Sequence, residues 1–302
     1  MCIRDSIDTG VDVGHPDFMN VGAAGADVTQ GGQLVLSLAR TFISGDASDG
    51  SSDVTDEHGH GTHLAALISA AANNGVTAGS GIAGLGYPLR LLPLKVAGAN
   101  GVSFHADISQ AVIYAADQGA SVIVIAFSGP TWSQTLQDAI DYAWDSGSFL
   151  IAPGGDAGPD FPSFPASCPH VFGVGALTAG DTIATYSSTG YHIALAAPGG
   201  DQVAGVYSAL PTHFCTLRQD ITSPAYGSLY GTAQAAAHVA AASGLYAGVT
   251  NLRPSTGGEA TRIWQALQRS AAPLAGQQPG EWLPDAGRGK LGVTSLLSLI
   301  HI

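Results

Sequence analysis

The chain has 302 residues, 45% hydrophobic and only 11% charged, with 10 Lys and Arg against 23 Asp and Glu for a net charge of −13. That length suits one α/β domain with a sizeable core, the acidity removes the counterion-release attraction nucleic acid offers a basic protein, and no apolar run reaches the ~18 residues of a membrane span. Nucleic acid and membrane drop out as default partners, and low charge with 41 Gly residues fits a compact, loop-rich secreted or extracellular protein.

The two ends are at odds with the rest. MCIRDS places Arg4 and Asp5 in the run leading to Ile7, where a buried strand would want apolar residues, and LLSLIHI closes the chain with no helix stop. Both read as non-native, so the domain is taken as residues 7–295, with 1–6 and 296–302 outside it, and neither localisation nor a propeptide is judged from the N-terminus.

In chain order, the first notable segment is IDTGVDVGHPDF (7–18), where Asp8 follows an apolar residue and precedes a Thr-Gly turn. Alone it is ordinary turn chemistry. DEHGHGTHLAALISAA (56–71) follows, with His60 at the start of an apolar helix formed by Leu64, Leu67, Ile68 and Ala71, and Gly59 and Gly61 letting the backbone crowd there. His58, His60 and His63 invite a zinc reading, but no pair has the i, i+4 spacing that puts two imidazoles on one helix face, and no carboxylate or thiol is obviously placed to complete a set.

Residues 91–97 read as a strand. Ser103 offers an N-cap to a helix whose inward face is Phe104, Ile108, Ala111, Val112 and Ala115, ended by Gly119. SVIVIAF (121–127) is a continuous apolar run, the pattern of a parallel strand buried on both faces. Ser133 opens a second helix with Leu136, Ile140, Ala143 and Trp144 inward, and strands follow at 149–152 and 171–177. This alternation predicts a mostly parallel central sheet with helices on both faces, its ligand at the carboxyl ends of the strands. GSGIAG (79–84) fits a dinucleotide-binding pattern but precedes a strand instead of following one, so it reads as a loop. YGSLYGTAQAAAHVAAASGLY (226–246) turns at Gly231 and Thr232 into a small-residue helix that can cross a crowded centre. Cys168 and Cys215 fit one disulfide or two buried thiols equally well, and Cys2 stands apart at the N-terminus.

Taken together and in this order, Asp8 in DTG, His60 in HGTHLA and GTAQAAAHVA from Gly231 resemble the subtilisin-like serine peptidases, the subtilase family (peptidase S8). GIAGLGYPLRLLPLKV (81–96), FPASCPHVFGVGAL (164–177), IALAAPGG (193–200) and GRGKLGV (287–293) are similar to its framework. The resemblance implies a single-domain subtilisin-like fold, a polypeptide substrate, and an aspartate and histidine at Asp8 and His60. It also exposes departures. Ala233 stands at the nucleophile position, and a methyl group cannot attack a carbonyl. Asp156, in IAPGGDAG, stands where the family has its oxyanion-binding Asn, and an ionised carboxylate only accepts hydrogen bonds. Gln234 and Ala237 replace the usual Met and Pro, while Ala126, Phe127, Ser128 and Gly129, with Gly154, would form the backbone edge that pairs with an extended peptide. Ser228 lies five residues before Ala233, and nothing local brings it to the helix start.

Two readings follow: a pseudoprotease that binds extended polypeptide without cutting it, or an active serine endopeptidase whose Ala233 is an engineered change or a sequence error. No cofactor is required. Calcium suits the oxygen-rich stretch Asp46, Asp49, Asp53 and Asp56 and the loop at Asn73 and Asn74; a solvated acidic loop explains them as well, and no metal site is assigned.

Overall fold

The computed structural model describes residues 3–18, 32–72 and 81–298; Cys2, Asn73 and Asn74 lie outside the described residues. Seven strands, β1 (Ile3–Asp8), β2 (Arg40–Thr41), β3 (Arg90–Lys95), β4 (Ala120–Ile125), β5 (Phe149–Pro153), β6 (Val171–Leu177) and β7 (Ile193–Pro198), form one sheet in the order β2-β3-β1-β4-β5-β6-β7. All its pairings are parallel. A separate antiparallel hairpin joins β8 (Val206–Ala209) to β9 (Tyr226–Leu229).

The expected strand at SVIVIAF shows why it lacks polar alternation. Val122 and Val124 belong to the core on one face of the sheet, Ile123 and Ile125 to the core on the other. The first core is closed by α1 (His60–Ser69), α4 (Thr232–Val249) and α5 (Gly257–Ser270), the second by α2 (His105–Asp117) and α3 (Gln134–Asp145). A short α6 (Val293–Ser298) adds the fully buried Leu296. Because α4 is built from Ala, Ser and Gly along its inner side, it lies close against β4, β5, β6 and β7 at once. Each large apolar side chain buried this way contributes about 1.5–3 kcal/mol.

Two expected details shift. The helix read from Ser103 starts later: its N-cap is Phe104, with no side-chain cap, and Ser103 Oγ has no hydrogen-bond partner. Phe104 therefore precedes the first turn and is 70% exposed, leaving Ile108, Ala111, Val112 and Ala115 as the inward stripe. Trp144 is only partly buried at the end of α3, whereas Ser133 caps that helix by accepting from the Leu136 N–H.

Residues 3–6, placed outside the domain by the sequence reading, form most of the central strand β1, hydrogen-bonded between β3 and β4. Asp5 is 1% exposed and neither carboxylate oxygen has a partner among the described residues. Burial holds its carboxyl well above the usual aspartate range, so it folds protonated and must surrender that proton when the chain unfolds above about pH 4. Its contribution to stability is thus present in acid and lost as pH rises from the unfolded value toward the folded one. Asp5→Val is expected to raise unfolding free energy at pH 7 by about 2 kcal/mol or more and to flatten the fall in stability with pH, as read by urea unfolding across a pH series.

Candidate active site

Asp8 ends β1 at the carboxyl edge of the sheet, and His60 opens α1 directly beside it. The His60 Nδ1 lies 2.9 and 3.0 Å from the two Asp8 oxygens, and Asp8 Oδ1 also accepts the Thr9 N–H at 2.7 Å. The contact needs two backbones to meet: a Cβ on Gly61 would stand 2.1 Å from the Gly10 carbonyl oxygen, which is why glycine follows the histidine.

Asp56 fixes this approach. Fully buried, it accepts the Gly59 and Thr62 N–H groups at 2.8 Å, the His58 N–H at 3.1 Å, and the hydroxyls of Thr62 at 2.6 Å and Thr9 at 2.8 Å. Thr9 Oγ1 in turn accepts the Gly61 N–H at 2.9 Å. The α1 N-terminus is thereby tied to the residue that follows Asp8, and the carboxylate answers the helix dipole. Sequence reading missed this role, although an acidic residue just ahead of a helix start is a signal for it.

The carboxylates of the acidic stretch considered for calcium have partners close in the chain. Asp56 is spent on α1, Asp46 on Ser48, Asp49 on the Ile43 N–H, and Asp53 on Thr55. Among the described residues no group of three or more His, Cys, Asp or Glu side chains is placed to hold a metal ion. The three histidines diverge. His63 is buried, with Nε2 donating to the Val206 carbonyl of β8, and burial pushes it down to about 3, so it is neutral. His58 meets His60 edge to face at 6.3 Å between ring centroids and has an unpartnered Nδ1; burial, then the neighbouring His60, lower its affinity for a proton. Cys168 and Cys215 are both free and buried, so no bridge joins them.

Ala233 is the second residue of α4, 7% exposed. Ser228 lies in the hairpin, paired with Tyr207, and does not reach the helix start. The N-cap, Gly231, has no side chain to offer, and Asp156 supplies the cap: its Oδ1 accepts both the N–H and the hydroxyl of Thr232 at 2.8 Å. Asp156 is exposed at the rim and acts as an acceptor, in keeping with the chemistry of an ionised carboxylate. Beside it opens a cavity of about 430 Å³ lined by Ser128, Gly129, Gly155, Asp156, Phe161 and Ser163 among others.

The proposed peptide edge narrows. The Ala126 N–H is spent on the Ile7 carbonyl at 3.1 Å, and Gly129 exchanges both backbone hydrogen bonds with Phe164. Gly154 donates to the Val174 carbonyl and accepts from His192 Nε2 at 3.0 Å. Among the described residues Phe127 and Ser128 make no backbone hydrogen bond, and the Ala126 carbonyl has no partner. Sequence reading also missed the loop between β8 and β9, which crosses in front of α1. Its Leu217 N–H donates to the His58 carbonyl at 2.9 Å, its Thr216 N–H to the Glu57 carbonyl at 3.0 Å, and its Thr212 N–H and hydroxyl to Asp12 at 2.7 Å.

Comparison with known proteins agrees with this geometry. The model of the subtilase family, Peptidase S8, matches residues 5–289. The chain is 33% identical over 270 residues to the thermophilic serine proteinase of Bacillus sp. (strain AK1), covering 89% of this chain and 56% of that protein. It is 31% identical over 270 residues to thermitase of Thermoactinomyces vulgaris, covering 89% and 81%. Among solved structures, a protease of Pseudoalteromonas arctica PAMC 21717 superposes with a TM-score of 0.78 at 23% identity, covering 99% of this chain and 90% of that one.

Burial opposes the His60 imidazolium, but the Asp8 carboxylate, its hydrogen bond, and the charges of Asp56 and Asp156 together raise the ring above its ordinary value of 6.5. Histidine NMR titration should therefore find His60 titrating above 6.5, with Asp8→Asn moving it down, because only the smaller contributions of Asp56 and Asp156 then oppose burial. The stability this pair supplies is present below 6.5 and is lost as pH rises through the folded value.

Proposed function

The chain belongs to the subtilase family, and from that premise we propose that it is a non-catalytic member, a pseudoprotease that receives extended polypeptide and releases it uncut. The observation that carries this is the head of α4, where the Ala233 methyl stands on the site's helix. Acyl transfer by a serine peptidase needs an attacking oxygen, an imidazole to take its proton, a carboxylate to orient the imidazole, and donors for the oxyanion. The Asp8–His60 pair meets the second and third needs. The first is unmet, since carbon replaces oxygen. The fourth is reversed on the reading that Asp156 takes the place of the family's Asn, since an ionised carboxylate only accepts hydrogen bonds.

Peptide would enter along Phe127 and Ser128, which make no backbone hydrogen bond among the described residues, with a side chain in the 430 Å³ cavity. The polypeptide ligand is what the family premise supplies. The intact Asp8–His60 contact favours one second reading, an endopeptidase silenced only at Ala233.

One experiment separates the two. The chain as it stands is expected to give no turnover of casein and no labelling by a fluorophosphonate serine probe, while binding peptides saturably. Ala233→Ser alone is expected to remain nearly inert, and Ala233→Ser with Asp156→Asn to exceed it by about 10²–10³ in kcat, the size of one oxyanion donor. Full proteolysis by Ala233→Ser alone would establish the silenced-enzyme reading, and labelling of the unaltered chain would overturn ours.

A further inference from the structure

The head of α4 is lined with hydrogen-bond acceptors. Asp156 Oδ1 is spent on Thr232, but Oδ2 takes no hydrogen bond from any described residue. It lies 3.2 Å from the point where a Cβ on Gly231 would stand. From the next residues of the helix, Gln234 Oε1 comes within 2.9 Å of the same point. Gln234 is 2% exposed, yet its side-chain amide has no hydrogen-bond partner among the described residues. Its Oε1 and the Asp156 Oδ2 converge on the space over Gly231, two acceptors with no donor between them among the described residues. The hydrogen of Gly231 keeps the space between the two open; any side chain there would fill it.

A helix N-terminus favours an anion, but Asp156 already is that anion, so what faces a ligand is the carboxylate's outer oxygen. An anionic group, including the carboxylate of a cleaved peptide, would meet repulsion. A primary ammonium carries three donors, no acceptor and one positive charge, the complement of what converges here. Resting on the polypeptide-binding reading above, we propose that this notch, formed by Asp156 Oδ2 and Gln234 Oε1 over Gly231, selects peptides by a primary ammonium, from a lysine side chain or a free N-terminus. Where the family premise places a hole for a negative oxygen, this chain holds a seat for a positive nitrogen.

The test measures fluorescence anisotropy with extended peptides blocked at both ends and uncharged except for one lysine walked along them. Parallel sets carry norleucine in place of lysine, or norleucine with a free N-terminus. At low salt, at least one ammonium-bearing peptide is expected to bind about fivefold tighter than its norleucine counterpart, the upper range for a partly exposed ion pair, and the advantage is expected to shrink at high salt. Which set shows it identifies the source of the ammonium. Asp156→Asn, which keeps a cap for Thr232, and Gln234→Met, which keeps the volume, are each expected to bring the ratio toward one; if the first unfolds the head of α4, as read by thermal unfolding, the second decides. Equal affinity of all sets would overturn the proposal while leaving peptide binding intact, and would mean that the Gln234 amide turns over and answers Asp156 itself. No binding by any set would overturn the polypeptide-binding reading and this inference with it.

Discussion

The site rests on one electrostatic requirement: the N-terminus of α4 points into the cleft and must be answered by negative charge. The helix is 18 residues long and lies against four strands, so it cannot be turned aside. Its N-cap is Gly231, which has no oxygen to offer, and its first N–H groups have no partner within the helix. Two ways of meeting that demand exist. A donor-lined site leaves the terminus open for negative charge on a ligand, whereas an internal carboxylate fills it permanently. Asp156 takes the second course, with two hydrogen bonds of 2.8 Å to Thr232. The same contact that stabilises the helix therefore places a carboxylate at the mouth of its N-terminus.

The opposite wall is built by a similar device with a different consequence. Asp56 sits at the start of α1 as Asp156 sits at the start of α4, but it is fully buried and has five donors around it. Nothing of it reaches the cleft. Its task is to hold α1 against the turn after β1, which places the His60 ring on Asp8. One carboxylate is structural because every oxygen is satisfied, and the other stays available because one oxygen is not. The loop between β8 and β9 adds to the first wall by pairing with Glu57 and His58, so the histidine segment is braced from both sides.

The sheet was legible in the sequence wherever burial on both faces left no polar alternation. SVIVIAF sends its valines to one core and its isoleucines to the other, and that pattern has few alternative structures. The order of Asp8, His60 and Gly231 was legible because each lies where a strand ends or a helix begins. What could not be read depends on contacts distant in sequence. Gly129 and Gly154 look like free backbone until Phe164, Val174 and His192 are seen to use them. Phe104 fits the helical stripe by spacing, yet the helix starts one residue after it and the ring faces outward. Asp5 makes the converse case. By its chemistry it belongs outside a core, and the strand order nonetheless puts it at the centre of the sheet, where it has no partner among the described residues.

The contact of Asp8 with His60 has a structural role of its own. Asp8 is 1% exposed at the end of a central strand, and an ionised carboxylate there depends on its partners. With His60 24% exposed, removing one member costs less than the ~3–5 kcal/mol of a fully buried pair, yet it leaves the other without its partner. His60 is therefore held by the stability of the β1–α1 junction. Ala233 carries no charge and its small side chain fits the head of α4, where it is 7% exposed. The three positions are thus unequal in what the fold requires of them: Asp8 and His60 answer each other, whereas Ala233 leaves no charge to be answered.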